Sequence, residues 1–182
     1  MLWLDRKTGA AFDKAGFVKA TRENARAVLE NGGTTIVFPG GDYDVFRPTW
    51  LSTTIDFEGR TGYVRTALEA GVPLVPVVTI GGQEQMYMLW RGEVLARLLR
   101  LEKLLRTKYM PVAFGFPFGL TFAFPPNLPL PSKLVPQVLE PIDIRAAFGE
   151  APDIAAVDEE VRRRMQAAMD ELAEQRRFPV IG

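Results

Sequence analysis

Histidine and cysteine are both missing from these 182 residues. Without cysteine the chain forms no disulfide and offers no thiolate to a metal, which favours a reducing compartment. Without histidine it supplies neither the commonest general base near neutral pH nor an imidazole ligand. Net charge is missing as well: 22 Lys and Arg residues balance 22 Asp and Glu residues. No overall field therefore draws in nucleic acid or an acidic partner. No apolar run approaches the roughly 20 residues that span a bilayer. The opening Met1-Leu2-Trp3-Leu4-Asp5-Arg6 has neither the basic start nor the apolar centre of a signal peptide. The expectation is a soluble or peripheral intracellular protein.

What remains is ordinary globular material. Hydrophobic residues make up 47% and charged residues 24%, enough for a single domain over residues 1–182 with a core of its own. Residues 21–29 read as a helix that Thr21 caps and Asn31-Gly32-Gly33 ends. Residues 34–38 are β-branched and apolar, the pattern of a buried strand. A loop rich in Gly, Asp and aromatic residues leads to a second helix over 61–70, closed by Gly71, and then to a second apolar strand over 74–80. Two uninterrupted apolar strands separated by a helix argue for an α/β fold with a mainly parallel central sheet and helices on both faces.

Further along, residues 85–109 read as a helix, interrupted near Gly92, in which leucines alternate with Arg97, Arg100, Lys103, Arg106 and Lys108. That composition suits either a helix packed on the sheet or one lying in a membrane interface. A proline- and phenylalanine-rich stretch over 111–131 follows, which extends the same apolar surface, walls an acyl-chain tunnel or closes the core. Residues 134–144 are a candidate last strand that Pro136 and Pro141 confine to an edge or interrupt. Residues 154–177 form a charged amphipathic helix with Ile154, Val157, Val161, Met165, Met169 and Leu172 on one face.

The stretch with chemical content is Phe38-Pro39-Gly40-Gly41, where the first strand ends. Ligand loops of α/β proteins sit beyond the carboxyl ends of strands, and two glycines let a backbone approach a ligand closely and expose N–H groups. Alone, the pattern is equally that of a tight turn. Its company adds weight. Gly16, Val18 and Arg22 precede it as Gly-x-Val with an arginine six positions after the glycine, and Val75-Pro76-Val77 follows in a strand.

In that order and spacing the chain resembles the lysophospholipid and glycerolipid acyltransferase superfamily, which includes 1-acylglycerol-3-phosphate acyltransferases and type-two diacylglycerol acyltransferases. The family's second block, GxIFIxR, is met by Gly16, Val18 and Arg22. Its third block, FPEG or PGG, is met by Phe38, Pro39 and Gly41, and its fourth by Val75, Pro76 and Val77. Gly40 replaces the glutamate of the phosphatidate-forming branch, and Asp44 closes a Pro-Gly-Gly-x-x-acidic pattern closer to the diacylglycerol acyltransferases. The first block, NHxxxxD, has no counterpart here. In the family its histidine takes the proton from the acceptor hydroxyl as that hydroxyl attacks a thioester, and its aspartate orients the imidazole.

The resemblance implies an acyltransferase-like α/β fold whose first strand, helix and His-Asp pair lie upstream of Met1. It implies transfer of a fatty acyl group from an acyl-CoA or acyl-carrier-protein thioester to the hydroxyl of a glycerolipid or similar alcohol, with no cofactor and no metal. A lipid-binding or regulatory relative without catalysis is the alternative. No residue of this chain is expected to be catalytic; Asp42, Asp44 and Asp56 are poor bases for an alcohol unless desolvated. Substrate binding is expected from Arg22, Lys19, Phe38, Pro39, Gly40, Gly41, Asp44 and Arg47, with Arg60 a further basic candidate for an anion. The partners are then a lipid acceptor, an acyl-thioester donor and a membrane surface met through residues 86–108, on the cytoplasmic inner face.

Overall fold

The computed structural model describes residues 21–105, 107–122, 127–176 and 178. Helix α1 (Arg22–Glu30) begins where Thr21, in extended backbone, accepts the Asn24 N–H on its hydroxyl at 3.2 Å. A single helical turn, α2 (Gly41–Val45), follows the glycine loop. Helix α3 (Gly62–Ala70) buries Val64 and Ala67 one turn apart and ends on Gly71, whose φ of 65° is the left-handed conformation that closes a helix cheaply only with glycine. The longest element, α7 (Ile154–Gln175), is capped by the Asp153 carboxylate, which accepts from the Ala155 N–H at 3.1 Å.

Between these lie strands β1 (Val77–Ile80) and β2 (Tyr87–Trp90), short helices α4 (Glu93–Leu98) and α5 (Leu101–Leu105), strands β3 (Val112–Gly115), β4 (Gly119–Phe122) and β5 (Val135–Val138), and helix α6 (Ile144–Phe148). The architecture is mixed helix and sheet, as the α/β reading requires. The expected parallel sheet is not what the described strands form. β1 pairs antiparallel with β5, Leu74 bridges Ile142 in the same sense, and β2, β3 and β4 make an antiparallel sheet of three. β1 alternates: Val78 and Ile80 are buried, while Val77 and Thr79 on the other face are exposed, Val77 at 47%. A continuous apolar run signals two covered faces, and here only one is covered. The first apolar segment, residues 34–38, forms no strand and joins no sheet among the described residues, and Phe38 is 81% exposed.

The expected helix over 85–109 is also corrected. Its first turn is strand β2, which pairs with β3, and its remainder splits into α4 and α5 where Arg100 takes a φ of 53°. Leucine content reads as helix, but Tyr87, Met88 and Trp90 find strand partners in Phe114, Ala113 and Val112. Of the strand anticipated over 134–144, Val135–Val138 forms β5; the strand stops short of Pro141, Ile142 keeps only an isolated bridge to Leu74, and Ile144 begins α6.

Two apolar clusters hold the molecule together. Val64, Ala67, Ile142, Ile144, Val157 and Val161 form one; Val78, Ile80, Ala168 and Met169 form the other. Helix α7 contributes to both, its first half to the α3 side and its second half to β1. Burying each of these aliphatic side chains contributes about 1.5–3 kcal/mol. Asp158 is buried inside the first cluster, where it accepts the Tyr63 hydroxyl at 2.8 Å and pairs with the Arg162 guanidinium at 2.8 Å. A buried carboxylate persists only with such partners. Burial then pushes the Tyr63 hydroxyl well above the ordinary tyrosine range, and the Asp158 carboxylate adds to the shift.

Candidate functional site

The glycine loop turns tightly because its own backbone closes it. The Gly41 N–H donates to the Phe38 carbonyl at 3.1 Å, and the Asp44 N–H donates to the Gly40 carbonyl at 3.2 Å. Gly41 therefore turns its N–H inward, whereas the sequence suggested glycine N–H groups free for a ligand. Space requires the first glycine, and a positive φ favours glycine at the second. A Cβ at Gly40 would lie 2.5 Å from the Asp44 Cβ, and one at Gly41, whose φ is 50°, would lie 2.7 Å from Arg60 Nη1.

Arg60 holds the loop from outside. Its Nη1 donates to the Gly40 carbonyl at 2.9 Å, and its Nη2 reaches the carboxylates of Asp42, at 3.1 Å, and Glu58. Those carboxylates raise the guanidinium pKa although desolvation opposes them. Two residues on, Gly62 opens α3, and an ideal Cβ there would meet Arg22 Nη2 at 3.3 Å. The segment over 60–62 thus receives Arg22 on one residue and braces the glycine loop with another. Arg22 itself is exposed in the first turn of α1, which packs on α3.

Arg47 sits differently from Arg22. It is 4% exposed, ion-paired with the half-exposed Asp44, and its Nη2 donates to the Asp56 carbonyl at 3.4 Å. This guanidinium clamps the loop from within. Phe38 projects outward, and Pro39 is half-buried beside the buried Gly40. Lys19, together with Gly16 and Val18, lies outside the described residues.

Several groups of this neighbourhood gave no sequence signal. Tyr43 donates its hydroxyl to Asp56 at 2.9 Å, while Arg91 stacks over the Tyr43 ring at 3.8 Å and donates to the Tyr43 carbonyl at 3.0 Å. Gln83 donates to the Asp44 carbonyl at 2.9 Å, and Tyr109 reaches Glu58 at 3.4 Å. These partners come from distant parts of the chain, and no local pattern announces them. The Glu58 N–H, the Tyr43 hydroxyl and the nearby arginines hold the Asp56 carboxyl below its ordinary range, although partial burial opposes them. A carboxylate so stabilised is a weak proton acceptor. Burial pushes Tyr109 up to about 12, with Glu58 and Asp42 adding to it.

The site is thus a rigid, arginine-braced glycine turn rimmed by Asp42, Asp44 and Glu58. Arg22 and Arg60 lie beside it, and among the described residues it holds no group suited to deprotonate an alcohol. A cleft of about 200 Å³ elsewhere, lined by Ile80, Lys133, Leu172 and Arg176, is built from none of these residues. Among the described residues no helix is long and apolar enough to cross a membrane.

A mixed helix-and-sheet chain with a braced Pro-Gly-Gly turn, followed by Val75-Pro76 leading into β1 at Val77, has the features expected of a lipid acyltransferase relative. Residues 8–175 match the family model described as diacylglycerol acyltransferase, and the chain belongs to that family. It is 34% identical over 153 residues to an uncharacterised protein of Mycobacterium tuberculosis, covering 82% of this chain and 37% of the relative. An uncharacterised protein of Mycobacterium leprae is likewise 34% identical over 154 residues, covering 82% of this chain and 36% of that protein. The chain therefore spans little more than a third of the length of these relatives. No solved structure matches it significantly.

Proposed function

We propose that this chain carries the acceptor- and anion-binding part of an enzyme that moves a fatty acyl group from a thioester to the hydroxyl of a glycerolipid or related lipid alcohol. The observation that carries the reading is the family match over residues 8–175. The braced loop at Gly40 and Gly41 supports it, because such a turn gives a lipid head group a fixed surface. In this reading Arg22 and Lys19 hold a phosphate of the acceptor or of coenzyme A, and Arg60 and Arg47 keep the loop in shape. A His-Asp pair carried by protein outside these 182 residues takes the hydroxyl proton. The resulting alkoxide attacks the thioester carbonyl, and the tetrahedral intermediate expels the thiol, leaving an ester.

The same reading covers the sheet. Ile36, Val37 and Phe38 are uncovered, as are Val75 and Val77 at the start of β1. In the longer protein these two segments lie side by side in a parallel sheet, with the glycine loop at its carboxyl end. The enzyme works in phospholipid or neutral-lipid synthesis on the inner membrane face, with acyl-CoA or acyl-carrier protein as donor. Residues 86–108 contact the membrane through exposed Val94 and Leu98 and the cations around them.

The test is ester formation by the longest natural form of the protein, using radiolabelled acyl thioesters with lysophospholipid, diacylglycerol or long-chain alcohol. Ester should form with at least one acceptor, and Arg22→Ala should raise the KM for a phosphorylated substrate more than it lowers kcat. If no acceptor is esterified while lipid still binds, the chain belongs to a non-catalytic lipid-binding relative. The complete lack of histidine in this segment is what favours that second reading.

A further inference from the structure

The sheet of β2, β3 and β4 has two unlike faces. The row Met88, Ala113 and Thr121 is buried, whereas Tyr87, Phe114 and Leu120 in the neighbouring row are each about half exposed. Trp90 and Phe122, in the next row on that side, are exposed too. Past the last pair, Gly115 and Gly119, the turn carries Phe116 at 68% exposure and Phe118 at 55%. No charged residue occurs between Lys108 and Lys133. A contiguous apolar face of this kind marks an interaction surface.

We infer that the β3–β4 hairpin is a wedge that sinks into an anionic lipid leaflet, tip first. Three observations favour a bilayer. The tip satisfies its own backbone. The buried Asn127 accepts the Phe118 N–H at 3.1 Å and donates to the Gly119 carbonyl at 2.9 Å, while the Leu128 N–H donates to the Phe116 carbonyl at 2.8 Å. Pro117 has no N–H to satisfy. A protein surface could supply missing hydrogen bonds, but hydrocarbon cannot, and only a turn closed in this way enters it cheaply.

The residue types are also graded along the hairpin. Phenylalanines occupy the tip, and Trp90 lies in the row nearest the base. Beyond Arg91 and Gly92, helices α4 and α5 expose Arg97, Arg100 and Lys103, with Glu93 and Glu102 as the acids among them. Aromatic rings with a polar edge favour the interface, and cations favour lipid phosphates. The depth agrees: three residues of strand separate the Gly115 pair from the Val112 pair, about 10 Å, close to the depth at which interfacial elements rest.

Flotation of the full chain with phosphatidylcholine vesicles, with and without phosphatidylglycerol, tests the wedge. Phe116→Ser with Phe118→Ser should lower the bound fraction about tenfold on both vesicle types. Arg97→Glu, Arg100→Glu and Lys103→Glu together should abolish only the gain from phosphatidylglycerol. With Trp3 and Trp50 replaced by Phe, brominated acyl chains should quench Trp90. An unchanged melting midpoint shows that the serine variant is folded. Flotation of that variant equal to the parent's, or a parent that does not float, overturns the wedge. So does a parent dimer that the serine substitutions convert to monomer, because a second copy then covers the face. Flotation needs no turnover, so its outcome stands apart from that of the acyl-transfer assay.

Discussion

At Gly41 two constraints meet. Its φ of 50° is costly for any residue with a Cβ, and the space that a Cβ would take is filled by Arg60 Nη1 at 2.7 Å. Gly41→Ala should therefore cost about 2 kcal/mol, read as a lower urea midpoint at unchanged slope. In an Arg60→Ala background the loss should shrink, because the backbone part remains while the clash disappears. Beside this loop, Asp56 is a carboxylate whose charge ties stability to pH. Its folded-state pKa lies below the ordinary carboxylate value. Its contribution to stability is thus present above that value and is lost as pH falls through the lowered one. Asp56→Asn should flatten the acid limb of a stability-against-pH curve while leaving its shape above pH ~6 alone. The sequence exposed part of this neighbourhood: Arg22, Gly40 and Gly41 stand in a recognisable order. Tyr43 and Arg91 were invisible, and Asp56 was seen only as a weak base, because each acts through a partner that only folding brings near.

The elements were legible where local chemistry decides them. Thr21 and Gly71 mark helix ends in the sequence and do so in the fold. Pairing partners were not legible, because a strand's neighbour is chosen by contacts remote in sequence. The apolar run over 74–80 announced burial but not that β5 would pair with it antiparallel. The leucine-rich stretch hid β2, whose partner lies beyond α5. The break between α4 and α5 has its own consequence. Arg100 sits at a φ of 53°, so Arg100→Gly should raise stability by roughly 1 kcal/mol and the melting midpoint by a few degrees. No such gain should follow at Arg97, inside regular helix.

On the scale of the whole molecule, apolar surface is distributed unevenly. Ile36 is 83% exposed, so Ile36→Lys should shift the stability of this chain by less than about 0.5 kcal/mol and raise its solubility. On the reading proposed above, in which a parallel sheet covers these residues in a longer form, the same change should cost several kcal/mol there by stranding a charge. Comparing chemical unfolding of the two forms separates these outcomes. The interior, by contrast, is divided between two clusters that touch the same long helix. Because α7 threads both, neither half can loosen alone. A proteolytic nick near its midpoint, around Arg163, would let α3 and β1 drift apart together, and the chain should melt in one sharp transition rather than two.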